Sequence, residues 1–396
     1  MTQFISIKKH IKEAKWEGIA RDCYNQFACS HKMCRTYDPV VLATGDESYS
    51  AYGFHTSVLA VTRGLAKLED LLDSFTFCLE CASCEIRCPN TLFSGDFYRY
   101  TTTTIDLVRF VRRQLYEKGL KPRNWEKVEA SLSRLETVKK EELIQWSRDL
   151  KVKRDVPSET VLLIDTFTAT QLSSIARDIT EILNKLGIDF TVIEPDAPLQ
   201  QEYLSFNVEL FKKNARNLVD KAVKLGAKTA LIINPHLLTL LAREYIKYNE
   251  EKLPFEQVFF TDYLWELYKK GILKFTKEIN LRAAYHDPCN LSKLNGIFDS
   301  PRKLLKSIPG IKYVEEHQVL QWRYCCGFGN YIFKNINQDV SLRIGRTRVE
   351  NAIDLGADAL VVACPHCMDQ FTEVIRTFNL NIQILHLTEL ILKAMG

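Results

Sequence analysis

The sequence lacks the features that mark several common classes of protein. None of its apolar stretches is long enough to cross a bilayer. Lysines interrupt the apolar positions of residues 1–20, so no secretory signal is predicted. The net charge is +4 without a dense basic block, which argues against nucleic-acid binding. No G-x-G segment has the strand and helix context of a nucleotide-binding loop. We therefore expect a cytoplasmic protein without a flavin or nucleotide signature of its own.

Residues 1–20 have the pattern of an amphipathic helix. Phe4, Ile7 and Ile11 recur at helical spacing, with lysines between them. Two interpretations stay open. The helix packs on its own domain, or it contacts a partner or the inner face of a membrane as a peripheral association.

Cysteine is the residue type that the sequence has in unusual supply. The chain has twelve cysteines, and they are clustered. In a reducing compartment, clustered thiols serve metal or redox chemistry in preference to disulfides. Five of them form the C-terminal array, which comprises Cys289, Cys325, Cys326, Cys364 and Cys367. Each of its three segments follows a run that is predicted to be a strand, so we expect the array to be the functional centre.

The number of thiols in the array points to an unusual metal group. Four thiolates satisfy a cubane cluster or a zinc ion, so the fifth is surplus to both. The adjacent Cys325 and Cys326 cannot easily bind one corner each of a compact cube, but they can terminate one iron and bridge others. This favours a non-cubane iron–sulfur cluster and makes the pair the candidate catalytic residues. Gly327 and Gly329 would let the backbone turn tightly beside it.

Two questions about the array stay open at this point. Zinc could replace the cluster, because C-x-x-C with further thiols is also a zinc pattern, and the chain would then be a docking scaffold. His286 and His366 flank the thiols. They either orient the ligands through hydrogen bonds or take part in ligation or proton transfer.

A second cysteine motif lies in the first third of the chain. Cys78, Cys81, Cys84 and Cys88 form a complete C-x2-C-x2-C-x3-C-P run. Three thiolates at this spacing bind one cubane 4Fe–4S cluster, and the fourth binds a second cluster. A zinc site would not explain the terminal Cys-Pro.

The partner run that a two-cluster module needs is irregular. Its tail, Cys34-x3-Asp38-Pro, has Asp38 in the place of a cysteine, and His31 stands where another would be. The count still gives two ligand sets: set A comprises Cys78, Cys81, Cys84 and Asp38, and set B comprises Cys23, Cys29, Cys34 and Cys88. A carboxylate ligand would make its iron labile or leave a 3Fe–4S cluster. The alternative is that Asp38 is a helix N-cap or surface residue and only one cluster binds.

The hydrophobic periodicity divides the chain into four regions. Helical spacing over 57–72 and 104–118 predicts an α-helical ferredoxin-like domain. The four regions are this domain at 1–120, a charged helical linker at 121–158, a cysteine-free α/β half at 159–275, and an α/β half with the array at 276–396. Eight strands are predicted, at 161–164, 190–193, 230–233, 258–260, 283–285, 312–314, 360–362 and 382–385.

The two α/β halves are an internal repeat. Residues 219–237 align without a gap with residues 349–367. Asn234 and Leu237 stand at the places of the two cysteines of the C-x-x-C segment. The first half is therefore predicted to keep the α/β fold without the thiols, to pack over the second half and to shape a cavity between them.

These motifs resemble a known family. The HDPC, CCG and CPHC segments behind a C-x2-C-x2-C-x3-C-P module are similar to the CCG-domain iron–sulfur oxidoreductases. That family includes heterodisulfide reductase subunits and the iron–sulfur subunits of glycolate oxidase and anaerobic glycerol-3-phosphate dehydrogenase. The arrangement is closest to the D-type subunit of heterodisulfide reductase. The resemblance implies two cubane clusters in the helical module and one non-cubane 4Fe–4S cluster held by the C-terminal array.

The resemblance also implies a function. The leading prediction is an electron-transfer subunit that relays electrons between a flavoprotein dehydrogenase and a quinone or disulfide acceptor. The alternative is the catalytic subunit of a disulfide or heterodisulfide reductase, and a zinc-binding scaffold ranks after it. The first half lacks its CCG motif, and heterodisulfide cleavage in the family uses two such clusters, which argues against that reaction here.

Overall fold

The structure is a computed structural model that describes residues 23, 29, 32–86, 88, 103–315 and 324–396. The amphipathic helix predicted at 1–20 and the position of His31 lie outside these residues. No helix among the described residues is long and apolar enough to cross a membrane.

The described chain before residue 150 is helical. Its α-helices are α1 (Cys34–Tyr37), α2 (Pro39–Thr44), α3 (Ala51–Thr62), α4 (Ser83–Ile86), α5 (Thr104–Glu117), α6 (Trp125–Glu136) and α7 (Lys140–Leu143). Short 3₁₀ helices lie at Glu47–Tyr49, Leu68–Leu71, Ser74–Phe77 and Gln145–Ser147. The helical content agrees with the prediction, whereas the specific ferredoxin-like arrangement stays a prediction.

Helix α5 agrees with the helix predicted over 104–118, whereas the helix predicted over 57–72 is displaced. The observed helix α3 begins at Ala51 because Ser50 caps it, accepting a hydrogen bond of 3.1 Å from the backbone N–H of Gly53. It ends at Thr62, two residues before Gly64, whose φ is 68°. The periodicity was continuous in sequence, but the capping residues set the ends.

Two four-stranded parallel sheets follow, and all eight predicted strands are found. The first sheet contains β1 (Thr160–Leu163), β2 (Thr191–Ile193), β3 (Thr229–Ile232) and β4 (Glu256–Phe259), in the order β2-β1-β3-β4. The second contains β5 (Leu281–Tyr285), β6 (Ile311–Val314), β7 (Ala359–Val362) and β8 (Gln383–His386), in the order β6-β5-β7-β8. The two orders are the same, so the internal repeat in the sequence is a repeat of topology.

Helices connect the strands and cover the sheets. They are α8 (Thr166–Gln171), α9 (Ser173–Lys185), α10 (Tyr203–Phe206), α11 (Val208–Lys224), α12 (Pro235–Thr239), α13 (Ile246–Asn249), α14 (Phe260–Lys269), α15 (Cys289–Ser292), α16 (Asp299–Ser307), α17 (Tyr331–Ile336), α18 (Gln338–Asp354), α19 (Pro365–Phe378) and α20 (Leu387–Met395). A π-helical segment lies at Leu240–Tyr245. Helices α11 and α18 are each 17 residues long and occupy equivalent places in the two halves.

Residues of different predicted regions pack together in the structure, so the boundaries between these regions are less distinct than in the sequence. The end of the charged segment joins the first sheet, because Arg154 forms an isolated parallel bridge with Val192. One large apolar cluster contains residues of both sheets, including Val161 and Tyr285. A second cluster contains the C-terminal array together with Leu79 of the N-terminal module. The predicted domain limits stay predictions.

Candidate metal centre

The C-terminal array is assembled at one edge of the second sheet. Cys289 begins α15, just after β5, and Cys364 is the N-cap residue of α19, just after β7. Strands β5 and β7 are paired in parallel, so their carboxyl ends meet at the same edge. Cys367 lies in the first turn of α19, which Pro365 starts at a position that suits proline.

The five thiols form a continuous chain of contacts. The Sγ atoms of Cys289 and Cys325 are 3.9 Å apart. Three further pairs of thiols lie within hydrogen-bonding reach of each other: Cys325 and Cys326, Cys326 and Cys367, and Cys367 and Cys364. All five are buried, and none forms a disulfide. This donor set suits a multinuclear iron–sulfur group, because sulfur ligands converge from three segments on one small volume.

Two glycines make the turn after the vicinal pair. Gly327 has a φ of 97°, and a Cβ there would lie 2.4 Å from the carbonyl oxygen of Ser341. Gly329 has a φ of 63°, and a Cβ there would lie 2.7 Å from Cδ2 of Leu79. The expected tight turn is therefore present, and it also brings the array close to the N-terminal module.

The surroundings of two thiols favour the thiolate that a metal requires. Burial opposes ionisation, but hydrogen bonds from Cys325, Cys367 and His286 lower the pKa of Cys326 well below its usual range. At Cys364, burial is likewise outweighed by hydrogen bonds, and the pKa is lowered. Metal ligation by cysteine takes the thiolate, so this agrees with ligation at these positions.

Histidines lie beside the thiols, and one of them comes from the cysteine-free half. His286 is grouped with Cys326 and Cys367, and His366 with Cys364, in each case with ligand atoms within 4.8 Å of one another. His236 belongs to the second of these groups. Burial alone would lower the pKa of His236, but its hydrogen bond with Cys364 raises that pKa to about 9.

The cysteine motifs did not identify His236, although the sequence contains a signal for it. The gapless repeat alignment pairs His236 with His366. In the structure their rings stack at a centroid distance of 4.1 Å, and Phe167 stacks on the other face of His366, also at 4.1 Å. The nitrogen Nδ1 of His236 lies 3.0 Å from Oε1 of Gln201. The first half has lost the thiols but still supplies a side chain to the array.

The two halves enclose a small cavity lined by His236 and His366, which agrees with the expected cavity between them. It has a volume of about 20 Å³, which is the space of roughly one water molecule. His236 and Phe167 line it from the first half, and His366 and Phe328 from the second. Its walls combine aromatic rings with the carboxylates of Asp165 and Glu202.

The residues of set A lie close together. Asp38, Cys78 and Cys81 all act electrostatically on Cys84. Asp38 caps α2, and its Oδ1 accepts hydrogen bonds from the backbone N–H groups of Val40, at 2.8 Å, and Val41, at 3.4 Å. Burial and the nearby Cys81 raise the pKa of Asp38 to about 7. Asp38 is therefore an N-cap beside the thiols, and its role as a ligand stays a prediction.

Set B is brought together in part. Cys29 and Cys88 both act electrostatically on Cys34, whose pKa burial raises to about 11. Cys23 is fully buried in an apolar cluster that contains Phe54. The assignment of Cys23 to set B stays a prediction.

Set A and the C-terminal array meet at one pair of thiols. Cys81 is within hydrogen-bonding reach of Cys325. That hydrogen bond and the charge of Lys293 outweigh burial and lower the pKa of Cys81 to about 5. The sequence predicted a relay between the two motifs but could not identify which thiols would meet.

The loop that carries Cys81 is held by buried charges. Glu80 has a φ of 55° and lies between Cys78 and Cys81. Its carboxylate accepts hydrogen bonds from Arg109 Nε at 2.6 Å, Arg112 Nη1 at 2.7 Å and Asn330 Nδ2 at 3.0 Å. These contacts join the loop to α5 and to the second half, so they fix the position of Cys81.

Comparisons with known proteins agree with the site. A model of the CCG family, described as a cysteine-rich domain, matches residues 283–372, which contain the entire C-terminal array. The D-type subunit of the dihydromethanophenazine:CoB–CoM heterodisulfide reductase from Methanosarcina acetivorans is 27% identical over 361 residues, covering 87% of this chain and 84% of the relative. The EtfAB:quinone oxidoreductase of Syntrophomonas wolfei is 25% identical over 243 residues, covering 56% of this chain and 32% of that protein.

A solved structure supports the fold alone. A hypothetical protein from Helicobacter pylori aligns with 94% of this chain and 74% of its own length, with a TM-score of 0.57 and 14% sequence identity. The chain thus carries a CCG domain and is similar over most of its length to the D-type subunit of heterodisulfide reductase, which confirms the resemblance predicted from the motifs.

Proposed function

We propose that the chain is the iron–sulfur electron-transfer subunit of a multi-subunit oxidoreductase. Sets A and B would hold two cubane clusters, with Asp38 as a ligand of the first, and the C-terminal array would hold one non-cubane cluster. Such clusters supply one-electron redox chemistry when bound. The chain's own contribution is to hold the thiols of each group at fixed positions, and all but Cys29, Cys78 and Cys88 are buried.

The observation that carries this proposal is the contact between Cys81 and Cys325. It makes the cubane motif and the C-terminal array neighbours in space, although the sequence separates them by more than half of the chain. Gly329 packs against Leu79, and Asn330 donates a hydrogen bond to Glu80, so the two residues that precede Cys81 in its loop also contact the second half. Such a junction suits a relay, because the two ligand groups need no movement to approach each other.

We propose a flavoprotein dehydrogenase or another redox subunit as one partner, and a quinone or a disulfide as the acceptor. The names of the two relatives support these acceptors, since one is a quinone oxidoreductase and the other a heterodisulfide reductase. The cavity between the two halves would be the acceptor site, and its aromatic walls would have to move apart to admit either compound. A reducing compartment such as the cytoplasm suits twelve free cysteines. Peripheral membrane contact through residues 1–20 stays part of the prediction.

Metal analysis of the anaerobically purified protein tests the cluster count. We expect iron and sulfide for three clusters, together with several signals in electron paramagnetic resonance (EPR) spectra. The substitution Cys326→Ser should remove only the signal of the C-terminal array, and Cys84→Ser only that of set A. An iron content of about four atoms per chain or fewer, which is the content of one 4Fe–4S cluster, contradicts the proposal.

A second candidate is that the chain itself reduces a disulfide at the C-terminal array. The cavity between the halves favours it, because the histidines that line it, His236 and His366, have ligand atoms within 4.8 Å of the Cys364 thiol. Turnover of disulfides with a reduced viologen as donor, lost in Cys326→Ser, would support this function. Zinc without visible absorption from the array would instead support the scaffold alternative.

A further inference from the structure

Lys293 is a buried lysine at the junction of the two ligand groups. It is only 1% exposed. It lies one helical turn after Cys289, and its backbone N–H donates a 3.0 Å hydrogen bond to the carbonyl oxygen of that residue. The HDPC segment ends at Cys289, and Lys293 lies outside the array and outside sets A and B.

The ammonium group of Lys293 reaches from the C-terminal array to the loop of set A. Its Nζ donates a 2.5 Å hydrogen bond to Oγ of Ser83. The same oxygen accepts a hydrogen bond of 3.2 Å from Sγ of Cys81. One neutral hydroxyl therefore links the cation to the thiol that contacts Cys325.

The charge of Lys293 acts on the Cys81 thiol but forms no ion pair with a carboxylate in the described part of the chain. No carboxylate there lies within ion-pair distance of its Nζ, and Asp38 acts on it only from further away. Another buried lysine, Lys247, shows the usual arrangement, since it is paired with Asp106. Burying a cation costs free energy unless an anion lies near it. The junction therefore has a positive charge that a bound anionic group would balance.

We propose that Lys293 is the counter-charge of the cluster bound by set A and raises its midpoint potential. The inference rests on the proposed function, because it requires an iron–sulfur cluster at set A. A cluster bound by thiolates carries net negative charge, and reduction adds to it. A fixed cation nearby stabilises the reduced form more than the oxidised form, which raises the potential. Lys293 is a positioning and tuning residue and not a catalytic one.

EPR-monitored redox titration of the complete, anaerobically purified chain tests the inference. The signal of set A is identified as the one lost in Cys84→Ser. In Lys293→Met and Lys293→Gln, the ratio of reduced to oxidised set A cluster at a fixed potential should fall by at least tenfold, which is a shift of about 59 mV for a one-electron couple. Lys293→Arg keeps the charge and should leave the ratio within about threefold of the wild type.

The signals of set B and of the C-terminal array provide the internal comparison. The signal of set A should shift more than that of set B, because the Ser83 bridge leads to Cys81. An unchanged set A potential in the neutral variants overturns the inference. If both neutral variants lose the cluster while Lys293→Arg keeps it, the charge serves assembly and the tuning role is equally overturned. If the wild-type protein has no cluster at set A, the proposed function itself fails, so the two failures are distinguishable.

Discussion

Asp178 is a half-buried carboxylate where helices of the two α/β halves pack together. It lies in α9, and its Oδ2 accepts a 3.1 Å hydrogen bond from Oγ1 of Thr388 in α20. Burial raises the pKa of Asp178 to about 6, although the bond with Thr388 opposes this. An unfolded aspartate has a pKa of about 3.9, so the folded state disfavours the ionised form. The protonated carboxyl of Asp178 therefore contributes fully to folding stability below about pH 4, and this contribution is lost as the pH rises through about 6.

The substitution Asp178→Asn tests this packing of the halves. Asparagine can still accept the bond from Thr388 but carries no charge to desolvate. At pH 8 we expect the free energy of unfolding to rise by about 1 kcal/mol, after allowance for the solvent-exposed part of the side chain. The gain should be smaller at pH 5, where more of the wild-type carboxyl is protonated. Thermal unfolding at both pH values measures it, and an equal gain at pH 5 and pH 8 would contradict the assignment.

Helix α5 shows how one element fixes the position of a ligand loop. It is amphipathic in sequence, yet Arg109, Arg112 and Arg113 on it are all buried. Arg109 bridges Glu80 in the loop of set A and Glu244 in the first α/β half, at 2.6 Å and 2.8 Å. The helix therefore connects three parts of the molecule through charged side chains, and each charge is buried with its partners.

The substitution Arg109→Met should be strongly destabilising. It leaves Glu244 without the arginine that it is paired with and removes one of two arginines from Glu80, at an expected cost of about 3–5 kcal/mol. Loss of iron from set A should accompany the lower melting temperature, because Glu80 positions Cys81. The matched control is Arg123→Met, which breaks an exposed pair with Asp73 and should cost about 1 kcal/mol or less. Equal melting temperatures for the two variants would show that the buried bridge does not hold the loop.

At the scale of the whole molecule, the cysteine-free half is part of the candidate metal centre. It provides His236 and Phe167 against the face of the array that carries Cys364 and His366. The shared apolar cluster packs the two halves together, and the stacking of His236 on His366 adds a contact at the array.

His236→Phe tests whether the first half acts on the cluster of the second. Phenylalanine keeps a ring stacked on His366 and removes the hydrogen bond to Cys364. Because hydrogen bonds to cluster sulfurs raise the potential, we expect a lower midpoint potential for the C-terminal array alone. Gln201→Leu, which removes the partner on the other ring nitrogen, should shift it in the same direction by less. An unchanged EPR titration of the array would mean that His236 only packs.

The sequence by itself determined the elements and the donor types. Alternating β-branched runs located all eight strands, and the gapless repeat implied the shared strand order. The spacing of the cysteines gave the motifs, since ligand spacing is a local property of the chain. The predicted bounds of helix α3 were displaced, because capping residues, and not the periodicity, set its ends.

Only the tertiary structure decided how distant segments meet. The contact of Cys81 with Cys325, the hydroxyl bridge from Lys293 to Cys81, and the approach of His236 to Cys364 each join residues that are far apart in the chain. No local pattern encodes such pairs, because they depend on how sheets and helices pack. The structure therefore adds that the loop of set A, the array and the cysteine-free half meet in the interior of the protein.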